Sequence, residues 1–265
     1  MDFLTKLEKA IASADSLLCV GLDPQLEKLP KKYKSSKEPL FEFSKDIINQ
    51  TAEHVCTFKP NIAFFETQGI DGLGQLAKTI NYLKKNFPAL PVILDAKRAD
   101  MGNTAEAYSD SIFDYWKADA VTVNPYMGLD SVEPFLKRRE RGVMVLCRTS
   151  NPSSADFQEL SINGQPLYIK VAQKAVLWNK KYKNILLVVG ATNPEQMRRI
   201  RRVASSMTFL VPGIGAQGGD LVKICQNGLT KNGRGLIISA SRSIIYAQSP
   251  SEEAKKLKDE INKYR

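Results

Sequence analysis

Asp95, Lys97 and Asp100, within the run Asp95-Ala96-Lys97-Arg98-Ala99-Asp100, form the sharpest chemical signal in this 265-residue chain. Residues two apart on an extended backbone point the same way, so Asp95 and Lys97 share a side while Asp100 opens the following loop. An ammonium held among carboxylates keeps its proton, because nearby opposite charge favours the charged form. A lysine in that setting is an acid rather than an amine nucleophile, which counts against Schiff-base chemistry of the aldolase kind. A bare D-x-K-x-x-D match would describe a salt-bridged loop. Here Asp23 and Lys59 also follow or end apolar runs, and two lysines among three aspartates at one opening are costly to desolvate without a ligand.

A second group suits phosphate. Gly213-Ile214-Gly215-Ala216-Gln217-Gly218-Gly219 follows an apolar run and precedes a helix starting near Asp220, so backbone N–H groups around Gly215 can face one phosphate beside Gln217. Arg242, just past the last apolar run, adds a planar charged fork. Gly213, Gly215 and Gly218 also match the dinucleotide fingerprint, but late in the chain and without the acidic residue that would hold a ribose, so a Rossmann site fits poorly.

These residues need a scaffold that brings distant segments to one place. Short apolar, β-branched runs predict eight strands: Leu17 to Gly21, Thr57 to Phe64, Val92 to Leu94, Ala120 to Val123, Gly142 to Cys147, Ile185 to Val189, Thr208 to Val211 and Gly235 to Ser239. Most are continuously apolar, as parallel strands covered on both faces must be. Amphipathic segments follow them: Pro39 to Val55, Gly74 to Phe87, Thr104 to Lys117, Leu129 to Glu140, Leu167 to Tyr182, Pro194 to Ala204 and Asp220 to Asn227, with a last helix capped by Ser249 or Ser251. Repeated β-then-α units over this length predict an α/β fold, a (β/α)8 barrel with its site at the C-terminal strand ends, and residues 1–265 as a single domain. The long connection from Thr149 to about Pro166 lies on that side, where loops tend to act as lids. Glu27 to Lys37 is either a second such loop or a surface excursion.

Taken together, the strand-end residues resemble orotidine 5′-phosphate decarboxylases. The matches are Gly21-Leu22-Asp23-Pro24, Phe58-Lys59-Pro60-Asn61, the run from Asp95 through Met101-Gly102-Asn103-Thr104, Thr149-Ser150-Asn151-Pro152, Pro212 through Asp220, and Ser241-Arg242, in order from residue 19 to 243. The Lys97-Arg98 pair and the Thr-Ser-Asn-Pro segment look like the branch common among bacteria. The resemblance implies cofactor-free conversion of orotidine 5′-monophosphate to uridine 5′-monophosphate and CO2, with no metal. It implies that Lys97 stabilises and protonates C6, that Asp95 sits near the leaving carboxylate, and that Asp23 and Lys59 hold the ribose hydroxyls. Lys59 would also join Asp95, Lys97 and Asp100 in one charged network. Ser150 would bond the pyrimidine edge, and Gln217 and Arg242 would grip the phosphate. Asp100 and Thr104 would reach into a neighbouring subunit's site, which implies a homodimer.

Composition narrows the alternatives. The formal charge is +10, which would suit a polyanion, but Arg198, Arg199, Arg201 and Arg202 alternate with Met197, Ile200 and Val203 as a solvated helix face, and no nucleic-acid module accompanies them. One histidine, His54, and four scattered cysteines disfavour His-rich metal sites, zinc ribbons and disulfide frameworks. No signal-like segment or membrane-length apolar run is present, so the expectation is a cytoplasmic protein without membrane contact. The nearest rival chemistry is a Mg2+-dependent sugar-phosphate decarboxylase on the same barrel, which uses a similar D-x-K-x-x-D run and an enediolate. The Thr-Ser-Asn-Pro segment argues against it.

Overall fold

The computed structural model describes residues 1–214 and 219–265. Its frame consists of eight parallel strands, β1 (Leu18–Leu22), β2 (Thr57–Pro60), β3 (Ile93–Arg98), β4 (Ala120–Val123), β5 (Gly142–Arg148), β6 (Ile185–Val189), β7 (Phe209–Pro212) and β8 (Leu236–Ala240). They neighbour one another in the order β2-β1-β8-β7-β6-β5-β4-β3. Parallel bridges from Phe58 to Val92 and from Asn61 to Asp95 join the two end strands, so the sheet closes into the expected barrel. Closure leaves no strand edge open and converges the C-terminal ends on one mouth.

Each predicted strand is present, and β4 and β6 have the predicted bounds. β1, β5, β7 and β8 differ by one residue, and β2 and β3 differ more, for physical reasons. β2 stops at Pro60 instead of running to Phe64, because Asn61 caps a helical turn, Ile62–Glu66, by accepting the Ala63 N–H at 3.2 Å. β3 continues past Leu94 to Arg98, since its polar end faces the mouth and not the core. Of the helices, Leu167–Tyr182 is as predicted, Gly69–Asn86 begins a turn early, and Ser249 caps Pro250–Asn262. None of residues 27–37 reaches the mouth cavity. Instead Lys31–Lys34 forms a short surface helix whose Tyr33 hydroxyl bonds Asp46.

A long helix at the start of the chain is not among the expected elements. Phe3–Ala14 is a helix capped by Asp2, and it buries Phe3, Leu7, Ala10 and Ile11 against the N-terminal end of the barrel. Close contact is built in at the start of β5, where a Cβ on Gly142 would lie 2.3 Å from the Phe3 ring. Beside it Asp119 accepts Val92 N–H at 2.8 Å and pairs with Lys84 at 2.6 Å and Lys6 at 3.2 Å. The helix and this ion cluster therefore cover the N-terminal end of the barrel. Among the described residues, no helix is long and apolar enough to cross a membrane.

The arginine face needs one correction. On Pro194–Val203, Met197 and Ile200 are buried and Arg198 pairs with Glu195 in solvent, as expected. Arg201 instead folds inward over the Phe209 ring, 3.7 Å from its centroid, and donates to Gly228 O at 2.8 Å, Ala204 O at 3.0 Å and Gly235 O at 2.9 Å. Burial lowers its pKa to about 10, which still leaves it charged at neutrality. Its backbone acceptors would be orphaned by truncation. Arg201→Ala should therefore cost about 2–4 kcal/mol, read as a lower urea midpoint at unchanged slope. Arg198→Ala should stay within about 0.5 kcal/mol.

Candidate active site

Asp95 is the centre of the mouth. It is 8% exposed, and its carboxylate meets Lys59 Nζ at 2.9 Å through Oδ2 and Lys97 Nζ at 2.7 Å through Oδ1. Burial alone would raise the Asp95 pKa, but the charges of Lys59 and Lys97 outweigh it and hold the carboxyl well below the usual range. Burial would likewise lower the Lys59 pKa, yet Asp95 and Asp23 raise it above the ordinary lysine value. The shifts are complementary, so this pair is ionised on both sides. Lys59 is 5% exposed, whereas half of the Lys97 side chain is open to the cavity.

A residue that sequence reasoning passed over completes this cluster. The Thr122 hydroxyl, from β4, donates to Asp95 Oδ1 at 2.9 Å and accepts the backbone N–H groups of Ala96 at 3.1 Å and Lys97 at 2.9 Å. Lys97 has φ of 46°, a left-handed conformation that is uncommon for lysine, where the β3–β4 register slips between Leu94 and Arg98. Thr122 and the Asp95 ion pair hold that strained residue. In the sequence Thr122 reads as ordinary strand propensity. Its only signal is polarity within the buried run Ala120–Val123.

The cavity over this cluster has a volume of about 530 Å³ and is lined by Asp23, Lys59, Asp95, Lys97, Ser150 and Arg242, among others. Asp23 Oδ1 is buried without a hydrogen-bond partner among the described residues, as fits an acceptor that awaits a ligand hydroxyl. The Asp23 turn is set by the Tyr246 hydroxyl, which accepts Gln25 N–H at 2.8 Å and donates to Asp23 O at 3.4 Å. Gly190 leaves room for Ser150, since a Cβ there would lie 2.7 Å from both the Ser150 N and Cβ. At the opposite rim Gly213 has φ of 104°, which only glycine adopts freely, and Arg242 is exposed at the start of a helical turn. Gly215 and Gln217 lie outside the described residues, whose flanks Gly219 and Gly213 are joined by an N–H to carbonyl bond of 3.3 Å.

Asp100 and Thr104 are not among the lining residues. Asp100 bonds the next N–H, of Met101, at 2.8 Å, and Thr104 is exposed on Gly102–Asp110. The structure therefore brings together Asp23, Lys59, Asp95, Lys97, Ser150 and Arg242, but does not bring Asp100 or Thr104 to them within this chain. His54 is buried far from the mouth, 3.3 Å from Ser251 Oγ, in a packing role. The four cysteines are buried, and burial pushes the Cys19 and Cys147 thiols up to about 12, which suits apolar filling. Among the described residues, no three His, Cys, Asp or Glu side chains converge as a metal cage.

Comparison with known proteins points the same way. Residues 16–257 match the model of the Orotidine 5′-phosphate decarboxylase / HUMPS family. The chain is 51% identical to an orotidine 5′-phosphate decarboxylase of Cellvibrio japonicus over 257 residues, covering 96% of this chain and 93% of the other. A second, from a Janthinobacterium species, is 45% identical over 100% of this chain and 99% of the other. Among solved structures, Leishmania donovani OMP decarboxylase superposes with a TM-score of 0.90 at 40% identity, covering 100% of this chain and 99% of that one.

Thr122 makes the site testable away from its charges. Thr122→Val removes a bond to Asp95 and strands two N–H groups, so kcat/KM should fall about 10–100-fold. Thr122→Ser, which keeps the hydroxyl, should recover most of that loss. Equal activity in the two variants would contradict the positioning role.

Proposed function

This chain belongs to the orotidine 5′-phosphate decarboxylase family, and from that premise we propose how its barrel mouth performs the reaction. The enzyme is a carboxy-lyase that converts orotidine 5′-monophosphate to uridine 5′-monophosphate and CO2, the last step of de novo UMP synthesis. In the proposed mechanism the bond from C6 to the carboxylate breaks, CO2 departs, and the electron pair stays on C6. No neighbouring carbonyl spreads that pair, so a charge beside C6 must stabilise it. Lys97 supplies the charge and then the proton, and solvent reprotonates it after product leaves. Asp95 lies beside the leaving carboxylate and orients both lysines. The observation that carries this reading is the buried Asp95 carboxylate bridging Lys59 and the half-open Lys97.

The other roles follow the cavity. Asp23, with its partnerless oxygen, and Lys59 receive the ribose hydroxyls. Ser150 meets the pyrimidine edge, and Gln217, the Gly215 backbone and Arg242 hold the phosphate. Phosphate binding far from C6 adds binding energy that the reaction can use at the reacting carbon. No metal or organic cofactor enters, residues 1–265 act as one catalytic domain, and the enzyme works in the cytoplasm. It acts as a homodimer in which Asp100 and Thr104 complete the partner's site. Their absence from the lining of this chain's own cavity, and the exposure of the apolar Ile70, Met101, Tyr126 and Met127, support that assignment.

Loss of the orotidine 5′-monophosphate chromophore tests the mechanism. Lys97→Ala should reduce kcat/KM by at least about 10³-fold, while chelator leaves the wild type unchanged. Full activity in Lys97→Ala would overturn the role of that lysine, and chelator-sensitive turnover would favour the Mg2+-dependent rival. Subunit sharing has a separate test: inactive Lys97→Ala and Asp100→Ala proteins, mixed and allowed to exchange, should regain about a quarter of wild-type activity. No recovery despite exchange would refute a shared site.

A further inference from the structure

We propose that Arg148 is a positioning residue for the base end of the site, acting through Gln158 on the Thr149–Ser150 turn. The inference rests on the orotidine 5′-monophosphate reading above. Arg148 ends β5 and is only 4% exposed, yet it is not among the residues lining the cavity. Its guanidinium lies under the connection from Thr149 to Pro166. One terminal nitrogen donates to Thr149 O at 2.9 Å, to the Ser154 hydroxyl and, more weakly, to Gln158 Oε1 at 3.4 Å. The other meets Glu159 Oε1 at 2.9 Å. Gln158 passes this on: its Oε1 accepts Thr149 N–H at 2.8 Å and its Nε2 donates to Thr149 Oγ1 at 2.8 Å. Thr149, Ser150, Asn151 and Gln158 all line the cavity.

The same turn is fixed from its other side. Gly190 N–H bonds Arg148 O at 2.7 Å, Asn193 Nδ2 bonds Thr149 O at 3.1 Å, and Thr192 Oγ1 bonds Ser150 O at 3.2 Å. The connection is thus a fastened wall with a 3-10 turn, a helical turn and a two-residue hairpin, not the free lid its length suggested. A buried guanidinium is a poor choice for stability alone, because apolar packing of equal volume is often as good. What it gives here is a fixed direction for the groups that face the base. The phosphate rim, on the Gly213 turn and Arg242, makes no bond to Arg148 among the described residues.

Two ligands separate positioning from general support. Uridine 5′-monophosphate carries base and phosphate, whereas ribose 5-phosphate lacks the base. Arg148→Met should weaken uridine 5′-monophosphate about tenfold, the size of one well-placed hydrogen bond, and leave ribose 5-phosphate within about twofold. KM for orotidine 5′-monophosphate should rise in parallel, with kcat changed less than about threefold. Gln158→Leu, which keeps Arg148 but breaks the relay, should give the same pattern and decides the matter if Arg148→Met does not fold. Equal weakening of both ligands, or of neither, would overturn the proposal. A wild type that neither binds uridine 5′-monophosphate nor decarboxylates orotidine 5′-monophosphate would instead refute the functional reading itself.

Discussion

Everything at the mouth depends on keeping the Asp95 carboxylate ionised where water is scarce. Two ammonium groups and one hydroxyl do that, from three adjacent strands: Lys59 on β2, Lys97 on β3 itself and Thr122 on β4. Such a cluster is weak evidence of stabilisation, since the cost of desolvating its charges absorbs much of their attraction. It also spans the seam of the barrel. Between β2 and β3 the sheet is joined by bridges at Phe58–Val92 and Asn61–Asp95, and the Lys59–Asp95 pair lies beside the second. Barrel closure and the charged cluster therefore share one register, in which the strand pairing that places Asn61 next to Asp95 also places Lys59 against it.

The mouth is built differently on its two sides. On the β5–β6 side, side-chain bonds from Arg148, Gln158, Thr192 and Asn193 fix the backbone of Thr149 and Ser150. On the β7 side, Gly213 has a positive φ and opens a glycine-rich stretch of sequence, Gly213 to Gly219. A planar base is recognised by direction and gains from a wall that does not move. A phosphate is recognised by charge and by many N–H donors, which a glycine-rich backbone can bring close.

How much of this was legible in the sequence follows from which residues announce their surroundings. Parallel strands buried on both faces show as continuous apolar runs, so the barrel could be read, and polar residues at the ends of those runs picked out Asp23, Lys59, Asp95, Lys97 and Arg242. Thr122 could not be found that way, because threonine is as normal in a strand as valine and its importance lies in a bond across to β3. Gln158 lies ten residues past the end of β5, and only the fold of the intervening turns returns it to Thr149. Arg201 matched the solvated pattern of its neighbours, and its inward turn reflects carbonyls and a ring supplied by β7 and the loops around it. The Phe3–Ala14 helix has the right spacing at Phe3, Leu7, Ala10 and Ile11, but no strand precedes it, so it stands outside the β-then-α repeat.

In the proposed mechanism, the same charges explain why a lysine rather than a histidine suits the acid at C6. Lys59 and Lys97 offset Asp95 and Asp23, so these four side chains together are near neutral. A substrate carboxylate arriving beside Asp95 brings one negative charge more than the lysines balance. As the bond breaks, that charge moves from the carboxylate towards C6, away from Asp95 and towards the Lys97 ammonium. Attraction to Lys97 then grows while repulsion from Asp95 shrinks, and interactions that strengthen only along the reaction are the ones that accelerate it. A neutral imidazole would not supply that growing attraction, whereas the ammonium of a side chain tethered to Asp95 does.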